Sequence, residues 1–112
     1  PRSEKLNMLM RDELGNIIDR DIEFPPHAFV TLTRVHTSRD LRYATVFYSV
    51  LNADHNQVME ILTKNVYHIQ QQLNKALRMR PVPKIRFAID EEEIKRETLE
   101  QSLAKLKREG GL

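Results

Sequence analysis

The sequence predicts an α+β domain: a small mixed three-stranded sheet with helices packed on one face. Three observations carry this. Apolar residues recur at helical spacing over residues 3–20, 55–78 and 91–109; 28–36 and 41–51 are rich in strand-forming residues, and apolar residues alternate with polar ones over 41–51 and 84–89. The order is therefore helix, strand, strand, helix, helix, strand, helix. The chain is also short, 112 residues, which suits a single domain over 1–112 with one core.

In the first helix, Leu6, Met10, Leu14, Ile17 and Ile18 fall on one stripe, and Ser3 is placed to cap its start. Gly15 weakens the second half by about 1 kcal/mol relative to alanine. Phe24-Pro25-Pro26 then breaks helical structure and opens a loop. Residues 28–36 and 41–51 are rich in Val, Phe, Tyr and Thr, and Ala44, Val46, Tyr48 and Val50 alternate onto one face. Only Thr37-Ser38-Arg39-Asp40 separates the two runs, so they form an antiparallel hairpin.

Over 55–78 the apolar stripe runs through Val58, Ile61, Leu62, Val66, Ile69, Leu73, Ala76 and Leu77, with Asp54 or Asn52 as cap. One straight helix of that length measures about 36 Å, too long for so small a domain. A break at Asn65, the polar residue in mid-pattern, divides it into two helices. Arg80-Pro81-Val82-Pro83 ends the pair. In the third strand Ile85, Phe87 and Ile89 face inward, and Lys84 and Arg86 outward. Asp90 caps the last helix, with Glu93 at capping-box spacing; Ile94, Leu99, Leu103 and Leu106 make its stripe and Gly110-Gly111 its end.

The net charge of +2 conceals a strong asymmetry. Residues 1–23 and 90–112 are each net −2, whereas 24–89 carry nine basic and three acidic side chains. Within 61–89 stand Lys64, Lys75, Arg78, Arg80, Lys84 and Arg86, with no Asp or Glu. Such a local field attracts polyanions, although it is equally compatible with a solvated surface.

Several chemistries are excluded or disfavoured. There is no cysteine, so disulfides, thiolate nucleophiles and Cys-ligated zinc are out. His27, His36, His55 and His68 lack metal-ligand spacing, so no metal is expected. The run Asp90-Glu91-Glu92-Glu93 is a helix start complementing the macrodipole, not an acid–base pair. His36, Ser38 and Asp40 lie too close in one turn to converge as a triad, and Asp40 suits backbone capping there. With glycine only at 15, 110 and 111 there is no phosphate-cradling loop. No enzyme activity and no cofactor are expected. No apolar run approaches the roughly 20 residues of a membrane span, and the first residues do not form a signal peptide. Pro1 is not a natural start, so a trimmed N-terminus or a domain cut is expected, and with no signal or span a cytoplasmic location.

Nucleic-acid binding is the function these residues favour. Lys64, His68, Gln71, Lys75 and Arg78 share one helical face, and Arg80, Lys84 and Arg86 continue it. A row of donors along a helix matches a row of phosphate acceptors. Asn65, Tyr67 and His68 sit at the expected break, where Tyr67 and His68 can stack on an unpaired base. Arg39 and Arg42 add to the basic surface from the hairpin turn. A protein-interaction or dimerisation module, pairing through the amphipathic terminal helices with the basic face incidental, is the alternative.

Two stretches extend this reading. Ser38-Arg39-Asp40-Leu41 followed by Ala44-Thr45-Val46 resembles the Ser-x-Asp-Leu turn and Ala-x-Val strand of the ribosome-binding factor A family. Leu77-Arg78-Met79-Arg80-Pro81-Val82-Pro83-Lys84-Ile85-Arg86-Phe87 resembles that family's Leu-Arg-x-Arg-x-x-Pro-x-x-Arg-Phe. The resemblance implies a KH-like type II sandwich, order α-β-β-α-(kink)-α-β-α, in which a kink replaces the Gly-x-x-Gly loop. It implies a non-catalytic factor that binds the RNA of the small ribosomal subunit and assists its late folding and processing. The free protein is expected to be monomeric. Lys64, Lys75, Arg78, Arg80, Lys84 and Arg86 would then neutralise phosphates, and Asn65, Tyr67 and His68 would contact RNA. The family's kink usually reads Ala-x-Gly, whereas Asn65-Val66-Tyr67 stands here, so a shallower or shifted kink is expected.

Overall fold

The structure is a computed structural model that describes residues 2–92 together with Leu99 and Leu103. The elements are α1 (Arg2–Asp21), β1 (Phe29–Thr37), β2 (Tyr43–Leu51), α2 (His55–Lys64), α3 (Val66–Ala76) and β3 (Lys84–Ile89). The sheet has the order β1-β2-β3, with β1 antiparallel and β3 parallel to the central β2. It is the mixed sheet expected, and its helices cover one face.

Alternation decides which face. Ala44, Val46, Tyr48 and Val50 are all buried, and they meet Met10, Leu14, Ile17 and Ile18 of α1, Val58 and Leu62 of α2, and Ile69 and Leu73 of α3 in one core. Each of the Val, Leu, Ile and Met side chains among them contributes roughly 1.5–3 kcal/mol on burial. In β3, Ile85 is buried and Phe87 and Ile89 pack partly against the core, while Lys84 and Arg86 are exposed.

A β-bulge between Leu32 and Arg34 corrects a conflict in β1. Val30 and Leu32 are paired with the inward residues Val50 and Tyr48, and so is Val35 with Val46. Strict alternation cannot place residues 30, 32 and 35 on one face, since a one-residue slip reverses every side chain. Thr33 is the extra residue that restores the register. Its hydroxyl donates to Asp90 Oδ2 at 2.6 Å, tying the bulge to the end of β3.

Several boundaries differ from expectation. α1 begins at Arg2, so Ser3 lies inside its first turn and is not the cap. α1 runs unbroken past Gly15, where a Cβ would meet nothing within 4 Å. Asp54, not Asn52, caps α2, accepting from the Asn56 amide at 2.9 Å; Asn52 instead takes a left-handed φ of 61°. α3 ends at Ala76, because Leu77 turns extended (φ −94°, ψ 141°) and buries its side chain. The hairpin turn closes through Leu41 at φ 59° and through Asp40 Oδ1, which accepts from the Arg42 amide at 3.1 Å and the Ser38 hydroxyl at 2.7 Å.

Asp90 Oδ1 accepts from the Glu92 amide at 3.1 Å, as a helix cap does. Glu91 and Glu92 are helical. Most of the expected helix at 91–109, including Glu93, Ile94, Leu106 and Gly110-Gly111, lies outside the described residues. Leu99 and Leu103 are helical and exposed.

Candidate nucleic-acid interface

The break between α2 and α3 falls on Asn65. Its amide hydrogen is shared by the Ile61 and Leu62 carbonyls at 3.2 Å, and its side-chain Nδ2 donates to Ile61 O at 2.8 Å. Its own carbonyl accepts from the Ile69 amide at 3.0 Å, starting the next helix. Asn65 therefore closes α2 and opens α3 at once. Its φ of −103° is open to any residue, so the kink forms with no glycine present. The half-buried Asn65 side chain is spent on α2, while its neighbour Tyr67 is 76% exposed.

Tyr67 stands at the rim of an open groove of about 450 Å³ between α3 and the segment that leads into β3. Gln71 and Asn74 line its α3 side, and Arg80, Pro81, Val82 and Lys84 the other. Gln70 holds the two walls together: its Nε2 donates to Asn74 Oδ1 at 3.0 Å and Pro83 O at 3.1 Å, and its Oε1 accepts from the Ile85 amide at 2.8 Å. Arg80 Nη1 donates to Leu77 O at 2.7 Å and Met79 O at 2.6 Å, capping the end of α3 while its residue stays exposed. Tyr67, Gln71, Arg80 and Lys84 thus meet on one surface although the chain separates them. The sequence reading missed Gln70 and Asn74. The only local signal was a pair of amide side chains four apart beside Gln71.

The other candidate residues are arranged differently. Lys64 closes α2 and Lys75 the last turn of α3, both exposed. Arg78 is exposed but lies beyond the end of α3, so it does not continue the helical face as expected. His68 is half-exposed, and its Nε2 lies 2.9 Å from Asp21 Oδ2. Asp21 also takes the Arg20 guanidinium at 2.8 Å, and these bonds, Arg20 first, hold its carboxyl down at about 2. Arg42 is 4.0 Å from Asp40, and Arg42 O accepts from the Lys84 amide at 2.8 Å, which brings the hairpin turn with Arg39 to the start of β3. Arg86 projects from the sheet face opposite the helices, with Nε donating to Thr45 Oγ1 at 3.1 Å. The basic surface therefore wraps around the β3 edge instead of forming one straight ridge. Among the described residues, no carboxylate lies within ion-pair distance of Lys64, Lys75, Arg78, Arg80, Lys84 or Arg86.

His36, Ser38 and Asp40 do not converge, since Ser38 and Asp40 are bonded within the turn. Among the described residues no three His, Asp or Glu side chains are grouped to hold a metal, and no helix is long and apolar enough to cross a membrane.

The family model for ribosome-binding factor A matches residues 2–103. The chain belongs to the ribosome-binding factor A family. A ribosome-binding factor A from Gemmatimonas aurantiaca is 35% identical over 111 residues, covering 96% of this chain and 76% of that protein. One from Natranaerobius thermophilus is 39% identical over 92 residues, covering 80% and 70%. The solution structure of a ribosome-binding factor A homologue from Thermotoga maritima matches with a TM-score of 0.67 at 31% identity, over 78% of this chain and 85% of that one. The crystal structure of the ribosome-binding factor A of Thermus thermophilus matches at 0.69, with 18% identity, over 78% and 93%. A homology model of that Thermus factor, fitted into the cryo-electron-microscopy map of its 30S complex, matches at 0.63, with 19% identity, over 73% and 88%. The KH-like architecture expected of a ribosome-binding factor A is therefore present, kink included.

Proposed function

We propose that the chain binds RNA of the small ribosomal subunit and assists its late maturation, acting by binding and not by catalysis. The carrying observation is the groove in which Tyr67, Gln71, Arg80 and Lys84 meet. An exposed ring beside amide and guanidinium donors matches the needs of an unpaired base and its phosphates. Lys64, Lys75, Arg78 and Arg86 extend the positive field on either side, with Arg39 and Arg42 at the hairpin turn. Asn65 and His68 contribute at the kink beside Tyr67, Asn65 also shaping it and His68 also anchoring α3. The 30S complex of the Thermus relative supports the same partner here. On this reading the protein is a cytoplasmic, single-domain factor, monomeric when free.

Co-sedimentation with immature and mature small subunits at two salt concentrations tests it. Neutralising about 4–6 phosphates of unpaired RNA gives a log–log salt slope near −3 to −4, hence about a 100-fold loss of affinity for a fourfold rise in salt. The double variant Lys75→Glu, Arg78→Glu should keep its fold and lose subunit binding. A flat salt response, or full co-sedimentation of the variant, rejects the reading.

A further inference from the structure

The sheet face turned away from the three helices has a chemistry of its own. Because Ala44, Val46 and Tyr48 point into the core, Tyr43, Thr45 and Phe47 point out. In register, Tyr43 stands beside Lys84, Thr45 lies between His36 and Arg86, and Phe47 lies between Arg34 and Ala88. The two ends of this face differ. At Phe47 the ring is covered by the Arg34 guanidinium, 3.9 Å from its centroid, and Arg34 Nε is 3.7 Å from Asp90. At Tyr43 the ring is 60% exposed, with Lys84 beside it in register, His36 and Arg86 flanking Thr45 on the same face, and the exposed Arg42 next to it in the chain. The bond to Thr45 lays the Arg86 guanidinium along the sheet surface. Asp40, at the same end, is already engaged by Ser38 and the Arg42 amide.

An exposed phenol ring on a pleated surface, with the permanent cations Lys84 and Arg86 on its own face and Arg42 next to it in the chain, matches a base with its flanking phosphates. We propose that the Tyr43 end of the open sheet face is a second platform for single-stranded RNA, with Tyr43 stacking a base and Arg42, Lys84 and Arg86 holding phosphates. Lys84 belongs to both surfaces, since it also lines the groove with Tyr67. A strand lying in the groove therefore passes around the exposed edge of β3 and reaches Tyr43. This inference rests on the RNA-binding reading above and extends the RNA path beyond it.

The test is fluorescence anisotropy with an oligouridylate of about 15 nucleotides, run on the wild type, Tyr43→Ala, Tyr43→Phe and Tyr67→Ala. Tyr43→Ala should weaken binding about tenfold, and Tyr43→Phe, which keeps the ring, should stay within about twofold. Ultraviolet crosslinking to the same oligonucleotide should place an adduct on Tyr43. The ring is exposed, so the urea midpoint should not move. If Tyr67→Ala weakens binding and Tyr43→Ala does not, the platform is refuted and the groove stands. No binding by the wild type overturns both. A dimer in light scattering that Tyr43→Ala dissolves, with RNA affinity unchanged, assigns the face to self-association and overturns the platform.

Discussion

His68 in the first turn of α3 lies 2.9 Å from Asp21, the last residue of α1, across 47 positions of sequence. Arg20 grips the same carboxylate from its own side at 2.8 and 3.1 Å, and its guanidinium reaches Gln72 Oε1 at 3.5 Å. The end of one helix is thereby locked to the start of another. The two neighbours on α3 thus differ: the half-exposed His68 is bonded to Asp21, and Tyr67 faces solvent.

Acid should loosen this lock. The Asp21 carboxyl is depressed to about 2, chiefly by the Arg20 hydrogen bond and then by His68. A depressed carboxylate stabilises the fold above its unfolded pKa, and that contribution disappears as pH falls through the folded value. The window thus runs from about pH 4 down to about pH 2. Urea midpoints of the wild type should drop across it, and Asp21→Asn should show a shallower drop from a lower starting point. Parallel curves for the two proteins would show that the lock contributes nothing.

Gln70 supplies both an acceptor for the Ile85 amide and donors to Pro83 and Asn74. Replacing it with alanine strands a part-buried amide and carbonyl between α3 and β3. The expected cost is about 1–3 kcal/mol, read from urea denaturation. Because the groove walls are joined through this residue, RNA affinity should fall as well. A variant as stable as the wild type would mean that water replaces the side chain without loss.

The Asn65 kink uses negative φ and a side-chain bond to Ile61, so a glycine has nothing to relieve there. Asn65→Gly should destabilise by about 1–2 kcal/mol, through the lost bond and the added freedom of the unfolded chain. Thermal melting checks this. A melting temperature equal to or above that of the wild type would show that the kink is strained and prefers glycine.

Much of the fold was legible because its causes are local. The alternation of Ala44, Val46, Tyr48 and Val50, the Asp54 cap and the bounds of β3 each follow from residues a few positions apart. The break at Asn65 followed from helix length set against domain size. The Thr33 bulge was harder to see: Val30 and Leu32 share one parity and Val35 the other, and only pairing with β2 shows which residue is extra. The end of α3 was misplaced because periodicity continues through Leu77, while that side chain reaches the core in extended backbone instead.

By itself the sequence determined the elements, their order and the concentration of cations without carboxylates between residues 61 and 89. Periodicity and composition are properties of neighbouring residues, and they survive without a fold. Tertiary structure alone decided which of those groups remain available. It bound His68 to Asp21, turned Asn65 back onto α2, and placed Arg86 on the face opposite Lys75. It also brought Tyr67 and Gln71 to one groove with Arg80 and Lys84. Ion pairs and grooves depend on distances between residues remote in the chain, and those distances are set only when the helices pack on the sheet.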